Sequence, residues 1–230
     1  MTFTSIIRTS ARAAMLAGAV AVAASALAVT AVDAAPAPAA PSPATVPAIT
    51  KRTRQPDAIA DLAVTALAAL RNVAPGGSAA AGGDYVDKRN DLATAVAERV
   101  GIDPALMIAA WANADLDHQT ALLAGLTQVG VPYRRNASRA GEGFDCSGLT
   151  TYAWGEAGFA LAHQSTSQIR AAAPRTPETA QAGDLVQYPG HVSMWLGVDR
   201  AMLHAPYTGR YVEVHIQKKR SLKFGDPTGA

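Results

Sequence analysis

Four short runs in the C-terminal third constrain this chain most. Residues 184–188, 191–196, 201–205 and 211–216 are rich in strand-forming side chains and are joined by short turns, Pro189-Gly190 being the tightest. Strands this close in sequence pair antiparallel, because a parallel return needs a crossover of roughly a dozen residues. Upstream the period changes. Ile59, Leu62, Ala63, Leu67 and Leu70 recur at helical spacing within 57–73. Further helices are predicted over 85–100, closed by Gly101, and over 105–112, started by Asp103-Pro104. Two more are predicted over 117–128, stopped by Gly130 and Pro132, and over 147–157, where Leu149, Tyr152, Ala153 and Ala157 share a face. Helices followed by an antiparallel meander define an α+β chain.

The N-terminal segment reads differently. Arg8 and Arg12 precede an apolar stretch over 13–32, and Val32-Asp33-Ala34 fits a small-residue cleavage site, so residues 1–34 are expected to be a signal peptide. The rival is an uncleaved membrane anchor, because the stretch approaches spanning length. Its wealth of small residues and the cleavage site behind it favour export. Residues 35–57, rich in Ala and Pro, read as an extended linker. The expected division is then a helical region over 58–115, its role open between pro-segment, docking element and scaffold, and a second domain over 116–230. A net charge of +2 gives no nucleic-acid footprint.

The chain has one cysteine, Cys146, so an intramolecular disulfide is impossible. In an exported protein a lone thiol is notable, because that compartment oxidises idle ones. Asp145 suits the N-cap of the helix that follows, which places Cys146 in its first turn. Free N–H groups and the helix dipole there favour a thiolate, the nucleophilic form. A small residue packed at a helix start is the plain alternative. A base must come from His118, His163, His191, His204 or His215. With a four-residue turn over 197–200, Ser193 faces His204, and His191, two residues away, points to the same side. One imidazole can then take the thiol proton while the other holds its tautomer. An odd-length turn would separate them. The spacing shows neither a CxxC nor an HExxH pattern, so no metal is expected. His118, His163 and His215 read as surface or structural.

Four segments together carry a family resemblance: Gly130-Val131-Pro132-Tyr133; Phe144-Asp145-Cys146-Ser147-Gly148-Leu149; Ala182-Gly183-Asp184-Leu185-Val186; and the pair His191 to Gly197 and Met202 to Ala205. In this order they resemble the NlpC-type family of bacterial cell-wall cysteine peptidases, over somewhat under half the chain. The resemblance implies a papain-like domain with a nucleophile helix against an antiparallel sheet. It implies Cys146 as nucleophile, His191 as base and His204 as the orienting residue, with Tyr133, Asp145, Ser147 and Ser165 along the substrate cleft. It implies hydrolysis of peptidoglycan peptide stems, often between D-glutamate and a diamino acid, with no cofactor, in a secreted or wall-associated protein. The alternatives are a silent wall-binding module and an amidase of the same fold. Three departures stand out. Arg134-Arg135-Asn136-Ala137-Ser138 replaces an aromatic and two glycines, the turn at Val198-Asp199-Arg200 is one residue longer, and Ala162-His163-Gln164 replaces a Pro-Arg-Thr-like run.

Overall fold

The computed structural model describes residues 52–73, 82–219 and 221–229. The expected signal peptide and most of the linker lie outside these residues. Among the described residues no helix is long and apolar enough to cross a membrane.

Helix starts follow their caps. The Asp57 carboxylate accepts from Ile59 N–H to open α1 (Ala58–Arg71), and Asp103, followed by Pro104, opens α3 (Pro104–Asn113). Asp115 accepts from His118 N–H to open α4 (Leu116–Leu126). Each cap satisfies an N–H that the helix itself leaves open. Helix α2 (Gly83–Val100) runs to Gly101. α1 packs on α2 and α4, and α2 packs on α3 and on strand β7 (Glu213–Ile216).

A small hairpin, β1 (Ser138–Arg139) and β2 (Gly143–Phe144), leads into α5 (Cys146–Glu156), then α6 (Ser165–Ala171). The main sheet holds β3 (Ala173–Arg175), β4 (Leu185–Tyr188), β5 (His191–Trp195), β6 (Ala201–His204), β7 and β8 (Lys223–Asp226), in spatial order β3-β8-β4-β5-β6-β7, with every pairing antiparallel. The four predicted strands are its β4–β7 half. β3 and β8 add an edge that the sequence reading lacks.

Alternation divides the sheet's residues. Val192, Met194, Leu203 and Val214 join the main core, which also takes in Ile59, Val96, Trp111, Leu122 and Leu149. Val186, Trp195, Met202 and Phe224 form a second, smaller cluster with Leu222. The main core is shared by α1–α3 and the sheet. Trp111, almost fully buried, donates its indole N–H to the Leu196 carbonyl across 2.8 Å. Arg99 of α2 clamps the Asp57 cap carboxylate at 2.8 and 2.7 Å.

Candidate active site

The first turn of α5 is held from three sides by one carboxylate. Asp145 Oδ1 accepts from Gly148 N–H at 2.7 Å and lies 2.8 Å from His163 Nε2, while Oδ2 accepts from Asn136 N–H at 2.8 Å. Asp145, expected along the cleft, is buried and already occupied by these partners. Ser147 Oγ stands 3.3 Å from Asp145 Oδ1, and its carbonyl accepts from Gln168 Nε2 at 3.0 Å. Gln168, which sequence reasoning missed, also reaches the Thr150 hydroxyl and the Ala162 carbonyl. It fastens α6 to α5. Ser165 opens α6 behind the Gln164 cap.

Gly148 is required here by close approach. A Cβ at this position would stand 2.0 Å from the Ala137 carbonyl oxygen and 2.8 Å from His163 Nε2. Gly148→Ala is expected to push the rim off the α5 turn, at a cost of about 1–3 kcal/mol in urea unfolding, as overpacking does. An unchanged unfolding midpoint would show that the rim yields freely.

Cys146 is half-buried in this turn. Burial pushes its thiol pKa up, the Asp145 charge adds to that, and the N–H groups of Val192, Ser147 and Cys146 oppose it without reversing it. Burial thus opposes the thiolate expected from the helix start. The local dipole is outweighed by burial, which a linear sequence does not display.

His191 and His204 sit at matching ends of β5 and β6. The register pairs Met194 with Leu203 and Trp195 with Met202, and Leu196 N–H donates to the Ala201 carbonyl, which closes an even turn. Asp199, at φ 47°, absorbs the extra residue inside that turn. Both imidazoles thus share a side, with His191 Nε2 2.9 Å from His204 Nδ1. Both are buried. Burial, then the charges of His204 and His215, lower the His191 pKa to about 3. Burial therefore works against the charged form of both Cys146 and His191.

Aromatic rings flank this pair. Tyr188 stacks on His191 with centroids 4.9 Å apart, and His215 lies nearly parallel to His204 at 4.0 Å. Tyr133 is half-buried, and burial followed by the charges of Cys146 and Asp145 raises its phenol pKa.

The three histidines read as surface or structural have distinct places. His163 caps Asp145, and His215 stacks behind His204. His118 is fully buried: its Nδ1 lies 2.6 Å from Asp115 Oδ1, and its Nε2 3.0 Å from Asp184 Oδ1 and 3.4 Å from Asp226 Oδ1. Among the described residues, His118, Asp184 and Asp226 are the group near enough to share a metal ion. Asp226 also takes Arg175 at 2.7 Å on Oδ2 and Thr228 N–H on Oδ1, and Asp184 takes Gln181 N–H on Oδ2. The cluster is an ion pair network.

A cysteine at the start of a helix packed on an antiparallel sheet, whose strands present a hydrogen-bonded imidazole pair, defines the papain-like class of domain. Residues 130–223 match the model of the NlpC/P60 family. The chain is similar to the peptidoglycan endopeptidase RipA of Mycolicibacterium smegmatis, 40% identical over 106 residues that make up 39% of this chain and 21% of the relative. It is also similar to the gamma-D-glutamyl-L-lysine dipeptidyl-peptidase of Bacillus cereus, 34% identical over 94 residues, covering 37% of this chain and 28% of the relative. The chain therefore spans between a fifth and a third of the length of these two relatives. Among solved structures, a RipA variant mutated at E444 aligns with TM-score 0.44 and 28% identity, over 48% of this chain and 62% of that one.

Proposed function

We propose that the chain is an exported peptidoglycan hydrolase that cuts a stem peptide between D-glutamate and a diamino acid through a thioester on Cys146. The observation that carries this reading is the buried His191–His204 hydrogen bond of 2.9 Å, on the strands that follow the Cys146 helix. Relatives named for peptidoglycan endopeptidase and D-glutamyl peptidase activity support the substrate class.

Burial of the pair sets the chemistry. His191 takes the Cys146 proton as the sulfur attacks the carbonyl carbon, so thiolate and imidazolium form together at the moment of attack. The Cys146 N–H, free at the helix start, meets the oxyanion. Collapse expels the amine, which receives the proton from His191. Water then adds to the thioester, again giving its proton to His191, and the acid leaves with the thiol restored. His204 orients the base. Tyr133, Ser147 and Ser165 line the approach, and Asp145 acts by fixing the α5 turn and the rim. Helices α1–α3 serve as a scaffold, since they share the sheet's core.

Mass spectrometry of defined muropeptides after incubation with the full chain tests this. Products ending at D-glutamate are expected. Cleavage at the sugar–peptide junction would make the chain an amidase, and intact substrate with retained wall binding would make it a binding module.

A further inference from the structure

The imidazole pair does not end at His204. In the β6–β7 register His204 stands directly opposite Glu213. His204 Nε2 is buried, has no hydrogen-bond partner, and lies 3.6 Å from Glu213 Oε1. The other oxygen of Glu213 accepts from Arg210 at 2.5 Å. Arg210 is itself anchored at the cleft, because its carbonyl accepts from Tyr133 N–H at 2.8 Å. The His215 ring covers the face of His204 and, lying parallel to it, offers no acceptor in its plane.

A hydrogen bond between two imidazoles can be built in two directions. In one, His191 donates from Nε2 to His204 Nδ1 and keeps its own Nδ1 empty. In the other, His204 donates from Nδ1, and the His191 proton moves to Nδ1. Only the first leaves His191 able to take a proton from a thiol, because its Nε2 is committed to His204 in both. Within the pair the two directions are nearly equivalent. What separates them is the group facing His204 Nε2. A carboxylate accepts and never donates, so it favours a proton on that nitrogen.

We infer that Glu213 is a positioning residue: held by Arg210, it fixes His204 in the Nε2–H tautomer and thereby holds His191 as a base with an open Nδ1. The gap of 3.6 Å is longer than a hydrogen bond, so Glu213 acts through its charge in the resting state. It draws closer as positive charge builds on the pair during proton transfer. The inference rests on the proposed role of His191, but the tautomer itself does not.

The test therefore has two readouts on the full chain. Long-range proton–nitrogen spectra of 15N-histidine-labelled protein report which His204 nitrogen carries the proton, with no substrate present. Steady-state kinetics on a defined muropeptide give kcat and KM separately. Wild type should show His204 protonated at Nε2. Glu213→Leu should populate the other tautomer and lower kcat by about 10- to 100-fold, the scale on which outer partners of metal-bound imidazoles act. KM should stay within about twofold, since removing an interaction made only in the transition state acts on kcat. Glu213→Asp should restore part of both signals. A Glu213→Leu protein with unchanged His204 tautomer overturns the proposal, whether or not kcat falls. Wild type with the Nε2–H tautomer and no muropeptide cleavage would count against the proposed activity and leave the positioning of His204 intact.

Discussion

Replacing Cys146 with alanine is expected to lower muropeptide cleavage by on the order of 10⁴-fold or more, the scale of losing a catalytic nucleophile. The reasons are local. The sequence contains no second cysteine, so no other thiol can take over. Alanine suits the first turn of a helix, and the Asp145 contacts that hold this turn go to the Gly148 and Asn136 N–H groups, not to the cysteine side chain. Circular dichroism and the thermal midpoint should therefore stay near wild type. Cys146→Ser should be nearly as inactive. An imidazole with its pKa lowered to about 3 is a weak base, and an alcohol is a far poorer proton donor than a thiol. Product release measured by chromatography on both purified variants decides the matter. Residual cleavage by the alanine protein at wild-type rates would falsify the thioester mechanism.

His118→Ala is expected to be among the costliest truncations for stability, by about 3–5 kcal/mol, the range for breaking a buried charge pair from one side. His118 has carboxylates at both ring nitrogens, so it must carry two protons to satisfy them. Burial pushes its pKa down, but hydrogen bonds and charges from Asp184 and Asp115 overcome this and leave it raised. Removing the ring takes the histidine partner from fully buried Asp184, while Asp226 keeps Arg175, and it empties the space against the edge of Trp154. The pH dependence follows from the signs. A raised histidine contributes stability that is complete below its unfolded value of 6.5 and fades as pH climbs through the folded value. Partial desolvation pushes exposed Asp115 and buried Asp226 up, but their hydrogen bonds and charged partners leave both lowered, so they contribute above 3.8 and fade as pH falls through their folded values. The network is thus most stabilising between about pH 3.8 and 6.5. Urea midpoints recorded across pH should decline on the alkaline side in wild type and flatten there in His118→Ala. Parallel curves for the two proteins would mean that His118 is not charged in the fold.

What the sequence disclosed was local chemistry. Asp103 and Asp145 each cap the helix they were read to start, and alternation with tight turns located β4–β7. Strand parity placed His191 and His204 together, because a turn of even length has only one consequence for facing. The rest depends on distance along the chain. β8 is four residues with glycine in the middle, and β3 carries a proline, so neither alternates. Both belong to the sheet because a long return from β7 brings Phe224 beside Val186. The partners of His118 include Asp184, 66 residues away, and nothing in the neighbourhood of His118 announces them. The burial of Cys146 was hidden for the same reason: its helix is adjacent in sequence, whereas what buries it is not.

The triple use of Asp145 bears on how such a domain can diversify. The rim over 134–138, the helix carrying the thiol and the segment carrying His163 all meet on its two oxygens. Asn136 reaches that carboxylate from a left-handed backbone, at φ 55°, which asparagine tolerates better than most residues. A loop grafted here from another enzyme must supply an N–H at the same point, or the thiol shifts along with the rim. On the proposed function, a change at this rim is expected to alter substrate choice and turnover together. Variants selected for a new peptide should first repair position 136 before they regain rate.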